Sequence, residues 1–152
     1  MRVLIDTNLP ITYITGRETD PDKEAVSKVV ELCADEKIDG FLAFHSVSNI
    51  WFVMTHLKDR STGDLLYSKA EARENIKDFC RIINVVGADT QAVIDALENE
   101  SFSDFEDCLQ EKCAITANAD YIITSNIKDY LNSAVPAITP TEFLVKISDI
   151  TK

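Results

Sequence analysis

Five short apolar runs, each separated from the next by stretches of polar and amphipathic sequence, constrain this chain more than any other feature. They are Arg2-Val3-Leu4-Ile5, Phe41-Leu42-Ala43-Phe44, Asn84-Val85-Val86, Tyr121-Ile122-Ile123-Thr124 and Val135-Pro136-Ala137-Ile138. Runs of this length read as strands. Strands that alternate with helices make a parallel sheet covered on both faces, an α/β fold. Pro136 fits only near the start of an edge strand, because proline has no N–H for a ladder.

The intervening segments carry helix signals. Val26, Val29, Val30 and Cys33 recur at amphipathic spacing. Asp20 is placed to cap that helix with Pro21 at its first position, and Lys37 to Gly40 to close it. His45-Ser46 leads into a helix with Val47, Ile50, Trp51, Met54 and Leu57 along one face. Ser68-Lys69-Ala70-Glu71 and Ser103-Asp104-Phe105-Glu106 have the form of capping boxes, the second opening a helix to about Asn118. Asp89 caps a helix carrying Ala92, Val93, Ala96 and Leu97, and Thr139-Pro140-Thr141-Glu142 caps the closing helix. Pro10 to Asp20 holds a short helical or irregular piece and a polar loop, Gly16 to Asp20. With no repeat or linker, residues 1–152 read as one domain, long enough for a sizeable core.

No apolar run approaches the roughly 20 residues of a membrane span. The N-terminus also lacks a secretory apolar region, so a cytoplasmic protein with no membrane contact is expected. Cys33, Cys80, Cys108 and Cys113 show no C-x-x-C spacing and read as reduced, mostly buried thiols. Fifteen Lys and Arg against 26 Asp and Glu give a net charge of −11, so any track for nucleic acid must be local, short or shared with a second copy.

Acids are concentrated at three stations: Asp6 after the first run, Asp104-Phe105-Glu106-Asp107 at a helix start, and Asp129 after the fourth run. In an open α/β sheet the carboxyl ends of the strands share one edge with neighbouring helix starts, where ligands bind. Taken singly, each acid has an ordinary structural use: Asp6 as a turn residue, Asp104 and Glu106 as complements to the helix dipole, Asp129 at a turn. Together they repel one another unless a hard cation sits among them, and oxygen-only ligands suit Mg²⁺ or Mn²⁺. Asp107 borders the apolar Cys108-Leu109 and is the favoured ligand of its group. Asp104 is a second ligand or a cap.

His45 and His56 lack partners at zinc-ligand offsets. Trp51 and the phenylalanines read as core, and Lys58, Arg60, Lys128 and Arg2 as surface charges near the acidic edge. No G-x-x-x-x-G-K-[ST] loop is present, and Asn8 stands where an aspartyl phosphatase wants a second acid.

The chain resembles PIN-domain proteins, the fold of many bacterial toxin ribonucleases of toxin–antitoxin pairs. The resemblance rests on Val3-Leu4-Ile5-Asp6-Thr7-Asn8, Ser46 to Val53, Asp104 to Gln110, Asp120 to Tyr130, and Ile138 to Leu144. It implies a three-layer α/β/α domain with a short central parallel sheet and a Mg²⁺- or Mn²⁺-dependent ribonuclease. Asp6, Asp107 and Asp129 would be catalytic and, with Asp104, metal-binding. Asn49, Thr124, Ser125 and Asn126 would position water or phosphate. The implied partners are RNA, an antitoxin protein and a second copy of the chain. Asn49 stands where many members carry Glu, and Asn126 where many carry Asp, so one ion is expected rather than two. The rival reading is a domain of the same fold with an eroded site, binding RNA or a protein without cutting.

Overall fold

The structure, a computed structural model, describes residues 1–16 and 20–150, so most of the expected loop at 16–20 lies outside the described residues. The chain order is β1 (Arg2–Ile5), α1 (Asn8–Thr15), α2 (Lys23–Ala34), β2 (Asp39–Ala43), α3 (Phe44–His56), α4 (Lys69–Ile82) and β3 (Asn84–Val86). It continues with α5 (Thr90–Glu98), α6 (Phe105–Thr116), β4 (Tyr121–Ile123), a 3-10 turn (Ile127–Tyr130), β5 (Ala137–Ile138) and α7 (Pro140–Ile150). The strands pair in parallel in the order β3-β2-β1-β4-β5.

Alternation along β1 separates two cores. Val3 and Ile5 face α1, α2, α3, α4 and α7, where Leu9, Val29, Ile50, Met54, Phe79 and Phe143 pack. Leu4 faces α5 and α6, against Ala96, Cys108, Cys113 and Ala114. The result is the three-layer α/β/α arrangement. Phe143 is fully buried, and its truncation to Ala should cost about 3–5 kcal/mol. Among the described residues no helix is long and apolar enough to cross a membrane, and all four cysteines are free thiols, three of them buried.

Several local signals act as their chemistry dictates. Ser68 and Glu71 form both bonds of a capping box, and Asp89 accepts from the Ala92 N–H at 2.8 Å. Thr139 and Glu142 also bond reciprocally, closing the first turn of α7.

Others act differently. Asp20 does not cap α2: its carboxylate accepts from the Thr12 hydroxyl and from the Asp22 N–H at 2.9 Å, making a turn that ties the chain back to α1. That helix begins at Lys23 without a side-chain cap. The box expected from Ser103 does not form: Asp104 is itself the N-cap and accepts from the Glu106 N–H at 2.8 Å. Gly40 does not close α2 but lies within β2, where a Cβ would come 2.7 Å from Cys33 Sγ and 2.8 Å from Ile83 Cδ1. The chain instead turns after α2 with Glu36 at a φ of 56°. Phe44 opens α3 rather than ending a strand, and Phe44 and Phe52 are exposed, as is Leu97 on α5.

Candidate functional site

The sheet reverses direction of growth at β1, which pairs with β2 on one side and β4 on the other. A crevice outside the carboxyl ends of such strands is where open α/β sheets bind ligands. Asp6 leaves β1 there, its N–H bonded to the Ile123 carbonyl of β4 at 3.0 Å. The Thr7 N–H donates to Asp6 Oδ1 and the Thr124 hydroxyl to Oδ2, each at 2.8 Å. Both carboxylate oxygens are thereby held at the start of α1.

Beneath this carboxylate lies a closed polar cluster. Gln110 Nε2 donates to the hydroxyls of Thr7 and Ser46 at 2.8 Å, and those hydroxyls are 2.7 Å apart. All three side chains are buried. The cluster pins the first turn of α1 to α3 and α6, and so fixes where Asp6 projects.

Asp6, Asp104, Glu106, Asp107 and Asp129 line one cavity of about 310 Å³. Thr7, Asn8 and Asn49 complete its polar wall, and no Lys or Arg among the described residues lines it. Uncompensated charge shows in the titration behaviour. Burial, then the negative charges of Asp129, Asp6, Asp104 and Glu106, push the Asp107 carboxyl up to about 6. Burial also raises Asp6, outweighing the lowering effect of its hydrogen bonds. Glu106 is raised by burial and by Asp104 and Asp6.

The expected residues are thus distributed unequally. Asp6, Asp104, Asp107, Asp129 and Asn49 meet in the cavity. Thr124 stands behind it, fully buried, holding Asp6 and accepting from the Asn126 N–H at 3.0 Å. Asn126 is exposed and donates from Nδ2 to Asp129. Ser125 is exposed and does not line the cavity. Arg2 is at the opposite end of β1, its Nε donating to the Ala117 carbonyl at 2.6 Å.

Two residues escape a reading by sequence. Glu106 lines the cavity and accepts from Asn49 Nδ2 across the gap between α3 and α6. Its position near the helix start hides this, since an acid there is already explained by the dipole. Tyr130 is buried with its hydroxyl between two acids, 3.5 Å from Asp107 Oδ1 and interacting with Asp6. Nothing in the spacing of an apolar-looking tyrosine announces that role.

Among the described residues no three His, Cys, Asp or Glu side chains form a ready-made set of ligands for a metal ion. The donor set nevertheless fits Mg²⁺ or Mn²⁺: every candidate is an oxygen, and Mg²⁺ commonly keeps several of its waters and takes few carboxylates directly.

A sequence model of the PIN domain matches residues 2–128. The fold is similar to that of a chain in the crystal structure of VapBC2 from Rickettsia felis bound to a DNA fragment from their promoter. There the TM-score is 0.67 at 14% identity, over 91% of this chain and 98% of that one. It is also similar to a chain of VapBC-1 from nontypeable Haemophilus influenzae, with a TM-score of 0.63 at 15% identity, over 93% of this chain and 99% of that one. No curated protein matches the sequence.

Proposed function

Because the chain belongs to the PIN-domain family, we propose that it is a metal-dependent ribonuclease that hydrolyses a phosphodiester with an activated water. The observation that carries the reading is the cavity of five carboxylates with no cation among its described lining residues. A bound Mg²⁺ or Mn²⁺ supplies a lowered pKa for water and positive charge opposite the phosphate. Asp6, Asp107 and Asp129 are the catalytic acids in this proposal, and with Asp104 they are the groups that would hold one ion. Glu106 joins that set.

The remaining residues act on these acids. Thr124 and the Thr7 N–H orient Asp6, and Asn126 restrains Asp129. Asn49 is fixed by Glu106 and offers an uncharged amide at the cavity wall, where it can meet water or phosphate without adding repulsion. Ser125 has no part in this scheme, since it does not reach the cavity. The partners proposed with the activity are RNA, an antitoxin protein and a second copy of the chain. The structural neighbours are VapBC assemblies, which supports the antitoxin as partner and this chain as the toxin of such a pair.

A second reading, a PIN fold that binds RNA or protein without cutting, is favoured by the lack of a ready-made ligand trio among the described residues. Calorimetric titration of Mn²⁺, with Asp6→Asn as control, separates the two. Saturable binding that the substitution abolishes supports the nuclease. No binding at millimolar Mn²⁺ leaves the non-catalytic module.

A further inference from the structure

Asn49 is a wall shared by two cavities. On one side it faces the carboxylates. On the other it lines a larger, mostly apolar cavity of about 750 Å³ between α3 and α4, within the size range of small-ligand sites. We propose that this second cavity receives a nucleobase of a single-stranded RNA whose backbone runs past the carboxylates. The inference rests on the ribonuclease reading for the identity of the ligand.

Two observations favour a base. The first is aromatic surface: Phe44, 71% exposed at the start of α3, and Trp51 about two turns further along both line the cavity. An exposed phenylalanine and a half-buried tryptophan lining one cavity offer aromatic surface, and base stacking on aromatics is how single strands are commonly held. The second is charge. Arg73 lines the cavity with its guanidinium 5.2 Å from the Trp51 ring centroid, and it forms no ion pair among the described residues. Lys77 on the same wall is paired with Glu74 at 2.7 Å, so on a chain of net charge −11 it is Arg73 that places local positive charge at the cavity. A purely apolar partner has no use for it, whereas a nucleotide brings both a π-face and a phosphate.

Trp51 is the one tryptophan of the chain, so its fluorescence reads the cavity directly. The test is titration of a mixed-sequence single-stranded hexaribonucleotide into the full chain, with Mn²⁺ calorimetry run in parallel on each variant. Saturable quenching is expected, weakened about tenfold by Phe44→Ala, the size of one lost stacked base. Arg73→Gln should weaken it too, and Mn²⁺ binding should be unchanged in both variants. Absence of quenching, equal quenching by polyphosphate, or indifference to Phe44→Ala and Arg73→Gln would overturn the proposal. Binding of 8-anilinonaphthalene-1-sulfonate with no response to RNA would overturn it in favour of a protein-docking groove. Failure here with intact Mn²⁺ binding leaves the nuclease reading standing, and loss of Mn²⁺ binding with intact quenching removes the nuclease alone.

Discussion

The two edges of the sheet treat charge in opposite ways. At the amino edge the backbone N–H of Arg2 donates to Asp120 at 2.8 Å, its Nε to the Ala117 carbonyl at 2.6 Å, and its guanidinium lies 4.7 Å from the Phe41 ring centroid. At the carboxyl edge Asp6, Asp104, Glu106, Asp107 and Asp129 surround one cavity with no Lys or Arg among its described lining residues. Both edges belong to the same short strands, so the fold does not force the difference. A chain that pairs its acid at one end and crowds five at the other bears a repulsion that bound protons, or the cation proposed above, would offset.

The strongest way to break this contrast is to remove its centre. Asp6→Asn keeps the shape of the side chain but removes the buried charge whose two oxygens Thr7 and Thr124 hold. Metal-dependent RNA hydrolysis should fall by about 10²–10³-fold, the scale for loss of a preorganised electrostatic group. Thermal stability of the metal-free protein should not fall, because repulsion is relieved. A destabilised Asp6→Asn with unchanged hydrolysis would make the acidic edge structural. Next in size is Thr124→Val, which removes one hydroxyl donor from Asp6 Oδ2. Mn²⁺ affinity should drop about tenfold in calorimetry, an effect of the size of one hydrogen bond to a charged group. Unchanged affinity would mean that Asp6 needs no such orientation.

The acidic edge also has a pH signature. Asp107 is raised from 3.8 to about 6 by burial and by its acidic neighbours. The folded protein therefore holds this proton more tightly than the unfolded chain does. Its stabilising contribution is greatest below the unfolded value and is lost as pH climbs through the window to about 6. Because Asp107 is only partly buried, solvent screening should hold the loss to about 1 kcal/mol rather than the full shift. Melting of the metal-free protein between pH 4 and 7 should show it, and Asp107→Asn should flatten the curve. A stability that rises across that window in the Asp107→Asn difference would refute the crowding.

What the sequence discloses follows from how local each signal is. The strands and the capping boxes of α4 and α7 depend on residues three or four apart, and they form as their patterns indicate. The convergence of Asp6, Asp107 and Asp129 is legible because sheet topology puts strand ends and helix starts together. Glu106 and Tyr130 are not legible, since their roles depend on which partner faces them across the layers, Asn49 for one and Asp107 with Asp6 for the other. Asp20 illustrates the same limit at short range: it has a cap's chemistry, but Thr12 on the preceding helix competes for its carboxylate.

The mildest test lies at the paired edge. Asp120→Ala removes the acceptor for the Arg2 N–H, an exposed bond at the start of β1. Water can replace the lost carboxylate there, so the cost should be about 0.5–1 kcal/mol of stability, read by urea denaturation. Mn²⁺ binding and any hydrolysis should be unaffected, because β1 stays registered by its ladders to β2 and β4. If Asp120→Ala weakened Mn²⁺ binding as much as Thr124→Val does, the two edges would be mechanically coupled through β1. The acids would then depend on the whole strand for their placement, and not on the Thr7, Ser46 and Gln110 cluster beneath them.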